Sequence, residues 1–155
     1  MIPKLRVFGT AAAIAATAFV VSLVSVASAD TKVVIHVVER AVTDTVVDTD
    51  GDGVLSTGDL LTFHNKLFDA TNTHRVGRDQ GECVSIHPAN GVWQCNYTSF
   101  LGDGHLDVQG PFVEGRATIL SVIGGTGSFN NVSGVQRLSC DAAAGTCDFI
   151  FRLNV

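Results

Sequence analysis

The sequence predicts an all-β fold, an eight-stranded antiparallel closed β-barrel, on three observations. After residue 30, short runs rich in Val, Ile, Phe, Leu and Thr are separated by Gly, Asn and Asp at roughly ten-residue spacing, the rhythm of a sandwich or barrel. No segment there shows a helical period of useful length. The last run, CDFIFRLN, sets Phe149, Phe151 and Leu153 against Asp148, Arg152 and Asn154, with Ile150 the one apolar residue on the second face, so one face of it is buried. A closed barrel removes exposed edges and can enclose one small ligand; a two-sheet sandwich fits the same pattern.

In chain order, the first element is not fold. Lys4 and Arg6 precede an apolar run from Val7 to Val26, and Ala27-Ser28-Ala29 ends it with the small residues a signal peptidase reads. The expectation is a signal peptide over 1–29, cleavage after Ala29, and a secreted domain over 30–155. The rival is an uncleaved anchor, but Asp30 follows at once with no basic stop-transfer cluster. No stable membrane span is then expected. Strands are predicted at 32–40, 59–65, 80–87, 92–100, 104–109, 115–123, 133–140 and 147–154. GGTGSF (124–129) falls between two β runs rather than opening a helix, which predicts a tight hairpin, not a phosphate cradle.

Loss of the leader takes Lys4 and Arg6 from a chain of formal charge −5, leaving −7. An acidic domain of this kind is a poor nucleic-acid binder. Export puts the four cysteines in an oxidising compartment, where an even count favours disulfides over zinc. Three connectivities exist on paper. Cys83 and Cys95 flank HPANG, and Cys140 and Cys147 flank DAAAGT, so local closure of two hairpins is the expected pairing. The five histidines lack the spacing that clasps a metal from one element, and there is no nucleophile elbow or P-loop.

DTDGDGVLSTGD (48–59) matches the calcium-loop template, with Asp48, Asp50 and Asp52 at positions 1, 3 and 5, Gly53 at 6, the Val54 carbonyl at 7, Ser56 at 9 and Asp59 at 12. The reading is a structural Ca2+ brace between strands, weighed against a solvated acidic turn. No organic cofactor is expected.

From Gly58 onward, GDLLTFHNKLFD (58–69), RVGRDQGECV (75–84), YTSFLGDGHLDVQGPF (97–112) and SVIGGTGSFNNVSGVQRL (121–138) occur in one order. With these segments the chain resembles the allene oxide cyclase family, whose wider superfamily includes dirigent-like proteins. The resemblance implies a barrel with an apolar cavity, an isomerase that cyclises an unstable epoxide by confinement, a hydrophobic small-molecule ligand and a trimer. It implies that Asn65 holds a water against the epoxide oxygen, an amide being both donor and acceptor, and that Phe63, Trp93, Phe112 and Phe68 shape the pocket, with Phe100 a further wall residue. Asn65 could equally satisfy backbone at a strand end, and Trp93 could be a structural anchor.

Two departures from the family stand out. Cys83 falls on a family thiol, which a disulfide to Cys95 would remove. VVIHVVER resembles the family segment ending at Glu39-Arg40, which places His36 on a family acid and Val38 on a family asparagine. A histidine offers no fixed negative charge to a cationic transition state. Three functions remain: an isomerase or cyclase, a non-catalytic lipocalin- or dirigent-like carrier, and a calcium-dependent surface module.

Overall fold

The structure, a computed structural model, describes residues 32–155; the expected leader lies outside the described residues. Nine strands follow one another: β1 (Lys32–Arg40), β2 (Thr45–Val47), β3 (Leu60–Asp69), β4 (Arg75–His87), β5 (Val92–Leu101), β6 (Gly104–Val113), β7 (Thr118–Thr126), β8 (Ser133–Asp141) and β9 (Thr146–Asn154). They pair in the order β1-β9-β8-β7-β6-β5-β4-β3-β2, and β1 also pairs with β3. That last pairing, Val37↔Asp69 to Arg40↔Lys66, joins the two ends of the sheet and decides for a barrel over a sandwich. Eight long antiparallel strands make the wall. The short β2 pairs with the first part of β3, Thr45↔Thr62 to Val47↔Leu60, along the edge that β1 has left.

Side-chain alternation gives the barrel its inside. Phe149, Phe151 and Leu153 of β9 are buried at 3%, 0% and 1% exposure while Arg152 between them is exposed, as the CDFIFRLN pattern requires. Leu67, Leu106, Val108 and Leu120 complete the packed end, each contributing about 1.5–3 kcal/mol by burial. Gly81 has a specific task there. A Cβ on it would lie 2.3 Å from Tyr97 Cβ, so only glycine lets the Tyr97 backbone come that close across the β4–β5 ladder.

Cys83–Cys95 and Cys140–Cys147 are both disulfides, each between directly opposed residues of one hairpin. Such bonds point to an oxidising environment. Among the described residues no helix is long and apolar enough to cross a membrane.

The expected tight hairpin at GGTGSF is corrected. β7 runs on to Thr126, and a 3-10 turn, Gly127–Phe129, begins a longer connection to β8. Phe129 and Val132 pack back against the core, so the segment covers apolar surface that a minimal turn would leave bare.

Candidate functional site

Inside one end of the barrel lies a cavity of about 90 Å³. Its walls are Leu61, Phe63, Tyr97, Phe112, Leu138 and Phe149, with both disulfides, and its polar corner is Glu39, Asp44 and Asn65. The aromatic rings brace one another: Phe63 meets Tyr97 edge-on at 5.8 Å and Tyr97 lies 5.9 Å from Phe149. A drug-sized ligand needs roughly 300–1,000 Å³, so this volume takes the reacting end of a molecule rather than a whole lipid chain. A wider cleft of about 520 Å³, at the opposite end near Arg75, Arg78, Phe100 and His105, lies open on the outer face.

Asn65 organises the polar corner. Its Oδ1 accepts the N–H groups of Val42 (2.7 Å) and Thr43 (3.1 Å), holding the crossing from β1 to β2 over the cavity. Its Nδ2 donates to Glu39 Oε1 (2.7 Å) and to Asp44 Oδ1 (2.6 Å). The amide is thus committed on both atoms, and the carboxyls of Glu39 and Asp44 share the polar corner of the cavity with it.

Behind Glu39 stands Asp79, opposite Asn65 in the β3–β4 ladder. It is fully buried, and neither of its oxygens receives a well-formed hydrogen bond, although the Glu39 carboxyl and the Asp79 and Asn65 backbone N–H groups lie beside it. Burial pushes the Glu39 carboxyl well above the usual carboxylate range, the Asp79 charge adds to this, and the Asn65 hydrogen bond opposes it. Burial likewise raises Asp79, to about 6. Tyr97 is raised by burial and by the charges of Glu39 and Asp79, and its hydroxyl donates to Gln136 Oε1.

Of the residues expected at a site, Asn65, Phe63 and Phe112 come together in this cavity. Trp93 is buried one inward position beyond Cys95 and donates to Glu114 Oε1 at 2.9 Å, away from the lining. Phe68 points outward beneath the Arg40 guanidinium (3.7 Å), and Phe100 does the same beneath Arg78 (3.7 Å). His36 is corrected. Val37 and Glu39 are inward, so strand parity turns His36 to the exterior, where it meets Asp148 Oδ1 at 2.7 Å. The acid of this strand that lines the cavity is Glu39.

In the loop, Asp48, Asp50 and Asp52 bring carboxylate oxygens within 4.8 Å of one another on the surface. Ser56 Oγ donates to Asp50 Oδ2 (3.0 Å), and Asp48 accepts the N–H groups of Gly51 and Gly53. Val54 N–H is taken by Asp52 Oδ1 (2.8 Å). Asp59 stands apart from this cluster. Its two oxygens accept Thr49 N–H (2.9 Å) and Ser56 N–H (2.8 Å), tying the loop to the start of β3.

Sequence reasoning missed Glu39 and Asp79 as site residues, yet parity carries both. Val33, Ile35 and Val37 share a face with Glu39, and Asp79 shares one with Cys83. Tyr97 and Phe149 were legible by the same rule.

A family profile described as allene oxide cyclase matches residues 31–141. Among solved structures, a pyocyanin demethylase superposes with a TM-score of 0.68 at 22% identity, over 79% of this chain and 100% of its own. A pterocarpan synthase dirigent protein gives 0.68 at 16% identity, over 83% and 88%. An exo-specific intermolecular Diels-Alderase gives 0.64 at 13%, over 83% and 100%. At these identities the likeness is one of fold.

Proposed function

This chain belongs to the allene oxide cyclase family, and on that premise we propose that its barrel takes the reacting end of a small, largely apolar molecule and guides an isomerisation or ring closure. The observation that carries the reading is the cavity itself, aromatic on its walls and polar only at the Glu39–Asp44–Asn65 corner. Such a site lowers a barrier in two ways. Phe63, Tyr97, Phe112 and Phe149 restrict the substrate to few conformers and exclude bulk water from a reactive intermediate. Glu39, oriented by Asn65, is in this reading the group that meets the charge developing at a breaking C–O bond. Cys83, bound to Cys95, plays no thiol part.

The domain acts outside the cytoplasm in this proposal, with residues 1–29 removed; both disulfides support it. Sequencing the amino terminus of the secreted protein tests that step, and a retained leader argues against it.

An allene oxide generated in situ serves as the probe of activity, since its unassisted cyclisation gives a racemic cyclopentenone. The proposal expects enantiomeric excess in the product with the wild type and a loss of that excess in Phe63→Ala. A second reading, a non-catalytic carrier, is favoured by the Cys83–Cys95 disulfide, which removes the thiol that the resemblance implies. It expects stoichiometric binding, unchanged release and a racemic product.

A further inference from the structure

Asp79 presents an unmet hydrogen-bonding demand. Both of its oxygens are buried without a well-formed hydrogen bond, the residue is 0% exposed, and the neighbours that come near it are the Glu39 carboxyl and two backbone N–H groups, of Asp79 and Asn65. The donors around it are committed or do not reach. Asn65 Nδ2 bonds Glu39 and Asp44, the Tyr97 hydroxyl bonds Gln136, and Ser99, which faces Asp79 across the β4–β5 ladder, makes no hydrogen bond with its hydroxyl. No Lys, Arg or His lines the cavity to offset its acids. An unpaired buried carboxylate costs several kcal/mol. One proton placed between Glu39 and Asp79 gives the missing donor and removes one of two charges that repel each other.

Resting on the cavity reading above, we propose that Glu39 and Asp79 hold one proton between them and that Glu39 presents it to the cavity as the acid that starts rearrangement of a neutral, oxygen-bearing substrate. Glu39 lines the cavity and is the catalytic residue; Asp79 lies behind it and is a positioning residue. In the step, the Glu39 O–H bond breaks, its proton bonds to the substrate oxygen, and the bonding pair stays on the Glu39 carboxylate. When the rearranged product sheds a proton, that proton returns to Glu39, so the reaction is redox-neutral and needs no co-reactant. The groups facing the pair are Asp44 from the crossing segment, Asn65 from β3, Tyr97 and Ser99 from β5 and Gln136 from β8, none of them a cation. An anionic substrate is therefore disfavoured, and the class indicated is a small epoxide or enone. Burial, which pushes both carboxyls upward, agrees with this arrangement, as does the Asp79 charge that raises Glu39 further while the Glu39 hydrogen bond lowers Asp79.

Infrared difference spectroscopy with isotope-labelled carboxyls reads the proton directly. The wild type is expected to show a buried protonated-carboxyl band at neutral pH. Glu39→Gln, whose amide supplies Asp79 with a donor, loses it, and Asp79→Asn lowers the Glu39 midpoint by about one pH unit or more. A wild type without the band overturns the shared proton. Cyclohexenone then probes the acid: its carbonyl stretch moves to lower frequency in the wild type, and the shift disappears as the Glu39 band titrates away. A bound probe whose shift is independent of Glu39 overturns the acid role. A probe that never enters while the band persists overturns the cavity reading instead.

Discussion

The loop over 48–59 and the polar corner of the cavity are built from the same functional group in opposite surroundings. In the loop, Asp48 accepts the N–H groups of Gly53 and Gly51, and Asp59 those of Thr49 and Ser56; these bonds hold both carboxyls below the ordinary range. In the cavity, burial with too few donors holds Glu39 and Asp79 above it. Donor supply decides the proton, not residue type, since Asp59 is as fully buried as Asp79. The acid-rich stretch that is conspicuous in the sequence is thus electrostatically settled, while the inconspicuous acids carry the unmet demand that chemistry can use.

The contrast can be broken most severely at the cavity end, which is braced covalently where the loop is held by hydrogen bonds. Replacing Cys83 and Cys95 together by Ala is expected to cost about 2–4 kcal/mol in urea unfolding. Next comes pH. A raised carboxyl stabilises the fold fully below its ordinary value and loses that contribution as pH rises through its folded value, so wild-type stability is expected to fall as pH climbs through about 6. Asp79→Asn removes its own share of this decline, on the order of 2 kcal/mol at alkaline pH, leaves that of Glu39, and is nearly neutral in acid. Denaturation curves across the pH range check both.

The loop has the reverse sign. Depressed carboxyls contribute above their ordinary value and lose that contribution as pH falls, so the Thr49 and Ser56 amides are expected to lose protection, relative to their intrinsic exchange rates, in acid, and in Asp59→Asn at neutral pH. Equal exchange in wild type and variant would contradict the bracing role of Asp59. The smallest effect concerns the calcium expectation at Asp48, Asp50 and Asp52. Millimolar Ca2+ is expected to give a binding heat and a modest rise in Tm, both lost in Asp50→Asn; a flat calorimetric trace leaves a self-bonded turn.

Legibility followed the range of each signal. Strand existence was readable because alternation is local, as in CDFIFRLN, and both disulfides were readable because each closes one hairpin. β4 begins at Arg75, ahead of the expected 80, because RVGRDQG carries no apolar alternation; Arg78 nonetheless points out and Asp79 in. The cavity was only half visible. Phe63 and Asn65 came through resemblance, but Glu39, Asp79 and Gln136 lie on three strands and meet only when the barrel closes. The misplacement of His36 came from aligning a motif by letters; the inward run Val33, Ile35, Val37 already assigns the inside position to Glu39.

One spectrum can read both regions. Site-resolved NMR titration of the Asp and Glu side-chain carboxyls is expected to separate them, with Asp48 and Asp59 ionising below the ordinary range, and Glu39 well above it with its midpoint tied to that of Asp79. Glu39 and Asp79 titrating together with the surface carboxylates near pH ~4 would contradict the account.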